Sequence, residues 1–221
     1  MKILIIAATP GEVISLLRTE NQSSESGLFS GEKYDVLITG VGIYATVFHL
    51  TRCLCANNYD LIINAGICGT FDHDRQLAEV VNVITDYFGD FGVEHPAGFY
   101  TASEMGFYDR NEFPYVDGRL FTSDFSDSGI INALPEVSGV TVQKAHGEQK
   151  SIKAFRKKNL AEVESMEGAA VFYVAIMMKV KCIQIRAISN YVEPRNRAAW
   201  KVEEAIENLN QILPVIISEL H

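Results

Sequence analysis

Two short stretches hold the residue types best suited to bond chemistry. Val163-Glu164-Ser165-Met166-Glu167-Gly168-Ala169-Ala170 places a carboxylate, Glu167, at the entrance of a strongly apolar segment. Further on, Arg186-Ala187-Ile188-Ser189-Asn190 ends an apolar run in a small polar patch. A carboxylate beside a buried helix costs free energy unless something hydrogen-bonds to it. The hydroxyls of a bound sugar would do so, and the pair suggests a nucleoside site at the edge of an α/β sheet. Taken alone, the same residues also read as a helix start (Met166, Glu167) and as a strand that ends in a turn (Asn190). Glu12, just past the first apolar run, reads on its own as a solvated carboxylate favoured by a helix N-terminus.

The elements that must carry these residues follow from hydrophobic patterning. Lys2 to Ala8 is a continuous Ile-rich run broken by Thr9-Pro10-Gly11, which reads as a strand buried on both faces, then a helix from about Glu12 to Leu17. Asn21 to Ser26 reads as a polar loop. Tyr34 to Thr39 reads as a second buried strand, stopped by Gly40-Val41-Gly42, and Ile43, Val47, Leu50 and Leu54 mark a helix. Asp60 to Asn64 is a third strand, stopped by Gly66 and Gly69, and Glu79 to Ile84 is β-rich. Val140 to Lys144 and Ala161 to Glu164 are short strands. Gly168 to Met178 is a helix apolar nearly all round, hence buried. Cys182 to Ile188 is a core strand and Ser189 to Arg197 a polar loop. An amphipathic helix on Val202, Ala205, Ile206, Leu209, Leu213, Ile216 and Ile217 closes the chain. Strand, glycine turn, helix, strand is parallel α/β patterning, and no linker or repeat divides residues 1–221, which read as one domain. Residues 88–128 show little periodicity. So long a loop is usually functional, either covering the site or pairing with a second subunit.

Ligands in open α/β sheets bind at the carboxyl ends of strands. The break points at Thr9 to Glu12, Gly40 to Gly42, Gly66 to Gly69, Met166-Glu167 and Ser189-Asn190 are all such ends and can converge on one cleft.

Composition narrows the partners. The chain is 48% hydrophobic and 21% charged, ordinary for a globular protein, and its formal net charge is −9. That balance argues against nucleic acid, which needs a basic surface. Cys53, Cys55, Cys68 and Cys182 form no CxxC pair, and the five histidines show no HxxxH or HExxH spacing, so no metal is expected. Met1 to Ala8 is too short for a signal segment, and the longest other apolar run, Ala169 to Met178, is far short of a membrane span. A cytoplasmic protein with no membrane partner is expected.

The segments around Glu12, Gly40-Val41-Gly42, Asn64-Ala65-Gly66-Ile67-Cys68-Gly69, Val163 to Ala170 and Arg186 to Arg197 resemble the nucleoside phosphorylase / nucleosidase superfamily across nearly the whole chain. Ser189-Asn190-Tyr191-Val192-Glu193-Pro194-Arg195-Asn196-Arg197 resembles, within it, the futalosine hydrolase group. The resemblance implies a three-layer sandwich with a central mixed sheet flanked by helices. It also implies a homodimer or higher homo-oligomer and no cofactor. By the same resemblance Glu12 activates the attacking water, Glu167 and Met166 hold the ribose, and Asn190 faces the departing base. Val41, Ile67, Cys68, Gly69, Ser189, Arg195, Arg197 and Trp200 would contact the substrate. An oxocarbenium-like sugar forms as an N-glycosidic bond breaks, and a nearby carboxylate stabilises it.

Three departures from relatives sharpen the expectation. Adenine-directed nucleosidases carry an Asp where this chain has Asn190. An amide cannot deliver that proton, but it can donate to a 6-oxo group and accept from N7–H. The trimeric purine phosphorylases carry Arg and Ser on phosphate where this chain has Asn64 and Ile67. No arginine near Thr9 to Glu12 takes over, so water is the expected nucleophile. The resemblance thus implies hydrolysis of futalosine to hypoxanthine and dehypoxanthinyl futalosine, on a route to menaquinone. Arg195 and Arg197, otherwise readable as surface residues, would hold the substrate's aromatic carboxylate. Trp200 would close over the 5′ side or merely pack. His146 and Phe155 are alternatives for the ring that stacks on the purine. A methylthioadenosine / S-adenosylhomocysteine nucleosidase, a phosphate-dependent phosphorylase and a non-catalytic nucleoside-binding protein on the same fold are the rival readings.

Overall fold

The computed structural model describes residues 1–17, 27–123 and 128–220, and the backbone of 22–23. Most of the expected loop at Asn21 to Ser26, and His221, lie outside the described residues. In chain order the strands are β1 (Ile3–Ala7), β2 (Gln22–Ser23), β3 (Leu28–Ser30), β4 (Tyr34–Ile38), β5 (Leu61–Thr70), β6 (Val80–Asp86), β7 (Gly92–His95), β8 (Gly98–Thr101), β9 (Leu120–Phe121), β10 (Glu136–Thr141), β11 (Val163–Ser165) and β12 (Lys181–Tyr191). The helices are α1 (Ile14–Leu17, continuing a 3-10 turn at Pro10–Val13), α2 (Ile43–Ala56), α3 (Gly129–Ala133), α4 (Gln149–Arg156), α5 (Gly168–Met177) and α6 (Val202–Leu220).

The main sheet runs β11-β10-β6-β12-β5-β1-β4-β3-β2, with β9 added to β6. β1 lies parallel between β4 and β5, β12 runs parallel to β5, and β6 crosses β12 antiparallel. β11 then pairs antiparallel with the end of β5, Val163 opposite Thr70 and Glu164 opposite Gly69. The strands β5, β12, β6, β10 and β11 therefore close on themselves into a small ring, from which β1 and β4 extend as an open wing.

The period-2 alternation of strand side chains sorts β1 between two layers. Ile3, Ile5 and Ala7 pack with Leu209, Leu213 and Ile216 of α6 on one face. Leu4 and Ile6 pack with Leu50 and Leu54 of α2 and with Phe172 of α5 on the other. Each such fully buried aliphatic side chain contributes about 1.5–3 kcal/mol. The result is the expected mixed α/β sandwich. α5 is apolar all round because it is wedged between α2 and the strands β10 and β12.

Two expectations at strand ends need correction. β5 runs on through Gly66 and Gly69 to Thr70, and β12 continues past Ile188 to Tyr191. The glycines do not stop the strand; they admit close neighbours, as glycine inside a strand often does. A bulge between Ile188 and Asn190 shifts the register, so that Asn190 pairs with Gly69. The stretch 88–128 also holds structure that its irregular pattern hid. β7 and β8 form a separate hairpin, and β9 joins the main sheet. No helix among the described residues is long and apolar enough to cross a membrane.

Candidate active site

Glu12 is buried at the end of the 3-10 turn after β1. Its Oε2 accepts from the Thr9 amide at 2.9 Å and the Thr9 hydroxyl at 3.1 Å, and its Oε1 accepts from the Ile67 amide at 3.1 Å. These bonds tie the end of β1 to the middle of β5 and aim one carboxylate at Gly66. Asn210 of α6 donates to the Glu12 carbonyl at 2.9 Å and fixes the turn from behind.

Across Gly66 stands Arg186, among the largest fully buried side chains in the molecule. A Cβ on residue 66 would overlap the Arg186 Nη1 and stand 2.8 Å from the Glu12 Oε1. Arg186 Nε and Nη2 are buried without a hydrogen-bond partner among the described residues. Buried guanidinium N–H groups seldom go unpaired, so these donors point to a ligand or water. This overturns the expectation that no arginine stands near Thr9 to Glu12. The two residues are far apart in the chain, and only the parallel register of β12 on β5, Arg186 beside Gly66, brings them together.

Glu167 lies buried at the start of α5, with its Oε1 accepting from the Gly42 amide at 2.9 Å. Gly42 has φ of 91°, a conformation that suits only glycine, and so turns its N–H toward the carboxylate. Burial pushes the Glu167 carboxyl above its usual value; the Arg186 charge and the Gly42 N–H oppose that shift, and Glu12 adds to it. Two carboxylates and one guanidinium thus share this part of the structure. Met166, just before Glu167, is half-buried.

Three residues further along β5, about 10 Å at the rise of a strand, lies a second group. A Cβ on Gly69 would meet Asn190 Nδ2 at 3.1 Å. The Ser189 hydroxyl lies 3.1 Å from the Cys68 carbonyl and 2.9 Å from Asn190 Oδ1, and Asn190 Nδ2 donates to the Tyr191 carbonyl at 2.9 Å. Asn190 is thereby held in one orientation.

The remaining expected residues divide. Ile67 turns its side chain to the α6 face, and Cys68 turns its thiol into a cluster with Val81, Val83 and Ile188, so each offers the site only its main chain. Asn64 is buried, donating to Gln184 Oε1 at 2.7 Å. Gln184 donates in turn to Asp86 at 3.0 Å, and Thr141 donates to the other Asp86 oxygen at 3.0 Å. Burial raises the Asp86 carboxyl to about 6. Asn64 therefore belongs to a polar network beneath α5, where Thr141 Oγ1 receives the Ala169 amide at 2.7 Å. Arg195 and Arg197 are exposed and flank the Trp200 ring, 5.3 and 5.9 Å from its centre. Val41 is exposed beside Gly42. Phe155 stacks on Phe71 at 5.4 Å, and His146 packs against Phe155 at 4.6 Å. Among the described residues no His, Cys, Asp and Glu group could hold a metal ion.

The family model for the phosphorylase superfamily matches residues 2–217. A futalosine hydrolase of Streptomyces coelicolor is 28% identical over 201 residues, 84% of this chain and 80% of that protein. A 5'-methylthioadenosine/S-adenosylhomocysteine nucleosidase of Bacillus subtilis is 25% identical over 242 residues, with both chains fully covered. The solved futalosine hydrolase of Helicobacter pylori superposes with a TM-score of 0.83 at 16% identity, over 99% of this chain and 98% of that one, which is a likeness of fold. The chain belongs to the phosphorylase superfamily.

Proposed function

We propose that this chain hydrolyses the N-glycosidic bond of futalosine, releasing hypoxanthine and dehypoxanthinyl futalosine on a route to menaquinone. It is an N-glycosyl hydrolase of the nucleosidase kind, with a small nucleoside as its substrate. The observation that carries the reading is Arg186 facing Glu12 across Gly66, with two donors unpartnered among the described residues. A water between them would donate to Glu12 and accept from the guanidinium. A phosphate dianion in the same place would meet Glu12 and Glu167, two buried acidic groups against one cation. That arrangement favours a neutral nucleophile. Glu12 takes the water's proton, Glu167 accepts from the ribose hydroxyls and steadies the sugar cation, and Met166 covers the sugar. Asn190 meets the base.

Futalosine is favoured over a 6-aminopurine nucleoside by Asn190, and by the two guanidinium groups around Trp200, which suit an aromatic carboxylate. The test is release of free base from futalosine, inosine and methylthioadenosine, each with and without phosphate. Hypoxanthine should form from futalosine without phosphate, with little release from the others. Base release that requires phosphate would reverse the reading. In the same panel Asn190→Asp should move preference towards 6-aminopurines, and unchanged selectivity would remove Asn190 from base recognition.

We also propose a homodimer. Tyr44 and Phe48, one turn apart on α2, are 81% and 59% exposed, next to exposed Val41. Phe107, Phe113 and Val116 in the 88–128 stretch are exposed too. Aromatic residues left in water at this density mark a protein contact. Sedimentation equilibrium should give twice the 24.5 kDa chain mass; a monomer at micromolar concentration would rule the dimer out.

A further inference from the structure

Breaking the bond between C1′ and a purine nitrogen leaves the bonding pair on the base, which departs more easily if a proton arrives as it leaves. Asn190 has no proton to give. A titratable pair stands opposite it. On β5, Gly69 is flanked by Asn190 of β12 and by Glu164 of β11. Directly opposed residues of an antiparallel pair project to the same face, and the missing side chain of Gly69 points to Asn190. Glu164 therefore shares a face with Asn190, with a glycine-sized notch between them.

Glu164 is buried, and both its oxygens go to one residue: Oε1 accepts from the His146 amide at 2.9 Å, and Oε2 meets the His146 Nδ1 in a short contact. That contact leaves Nε2 as the imidazole's second hydrogen-bonding atom, and it has no protein partner among the described residues. The ring is held edge-on by Phe71 at 6.1 Å and tilted on Phe155 at 4.6 Å. Val192, in the same cluster, reaches to 2.9 Å from a Cβ on Gly69. A histidine oriented by a buried carboxylate, with its far nitrogen free, is the arrangement that general acids use.

We propose that His146, held by Glu164, is the acid that protonates the departing base. This rests on the nucleosidase reading above. As the C1′–N bond breaks, its electron pair passes to the base, and the proton on His146 Nε2 moves to a ring nitrogen of that base. Water adds to C1′ and loses a proton to Glu12. Solvent then returns a proton to His146 and takes one from Glu12, so that nucleoside and water become ribosyl alcohol and neutral base. The other charged groups around the imidazole are already engaged. Arg156 of α4 lies over Phe71 at 5.3 Å and donates to the Ala161 carbonyl, Glu148 caps α4, and Arg195 packs its aliphatic stem on Gly147.

The test uses the full-length protein with whichever purine nucleoside it hydrolyses, and reads kcat and KM across pH. His146→Gln should lower kcat by roughly 10²- to 10⁴-fold, with KM changed far less, and should abolish the fall in kcat at high pH. Glu164→Gln, which keeps the shape but removes the carboxylate that orients the ring, should likewise lower kcat with KM changed far less. Glu164→Gln also covers the case in which His146→Gln does not fold. A rise in KM alone in either variant, or an alkaline limb that persists in His146→Gln, would overturn the proposal. An absence of hydrolysis by the wild-type protein on every nucleoside would instead overturn the nucleosidase reading on which it rests.

Discussion

Glu12→Gln is expected to lower kcat by about 10²- to 10⁴-fold, the usual contribution of a positioned base, while substrate Kd stays within a few-fold of wild type. The side chains are nearly the same shape, and Glu167, Met166 and Asn190 are untouched. The amide cannot fully replace the carboxylate. Glu12 accepts from Thr9 through one oxygen and from Ile67 through the other, whereas glutamine has one acceptor only. One of those bonds is lost, at about 1 kcal/mol, so a modest drop in melting temperature accompanies the change. Turnover by rapid-quench kinetics and binding by calorimetry separate the two effects. Normal turnover with lost affinity would remove Glu12 from the chemistry.

Gly66→Ala should be nearly as damaging, though it adds one carbon and changes no functional group. The new Cβ overlaps the Arg186 guanidinium and crowds the Glu12 carboxylate. Residue 66 sits inside β5, paired with Arg186 of β12, and the next amide, Ile67, is held by Glu12, so the backbone has little room to retreat. The side chains must give way instead. A displacement of an ångström in positioned groups costs on the order of 100-fold in rate, and overpacking costs about 1–3 kcal/mol in stability. Steady-state kinetics beside a thermal melt would check this. A folded variant within a few-fold of wild-type activity would mean that Arg186 and Glu12 do not act as a pair.

How much of this was readable beforehand depended on whether the signal was local. The run Ile3–Ala7, the α6 stripe on Leu209, Leu213 and Ile216, and the apolar α5 each declare their element because neighbouring residues carry the pattern. α4 was missed because only Ile152 of its eight residues is buried. Of the site, Glu12, Glu167 and Asn190 stood out at strand ends. Arg186 was visible in its motif but had no assigned task, because its facing of Glu12 depends on strand register. Asn64, read as a position that decides the nucleophile, is bonded to Gln184 on β12, 120 residues away, a link that only the strand register reveals. Two features nonetheless mark the pair. An arginine within Cys182 to Ile188, a run apolar but for Gln184, is a buried charge that demands a partner. A glycine opposite it at residue 66 is the room that such a side chain needs.

Ring closure by β11 against β5 constrains how this scaffold can acquire new tastes. Main-chain bonds run from Glu164 through Gly69 to Asn190, and the same strand carries the amide that holds Glu12. Shifting the backbone at one end would disturb the other. On the proposed roles, lineages adapting such a ring to a different base would be left with side-chain exchange, at positions such as 190 and 146, while the end at Glu12 stays still.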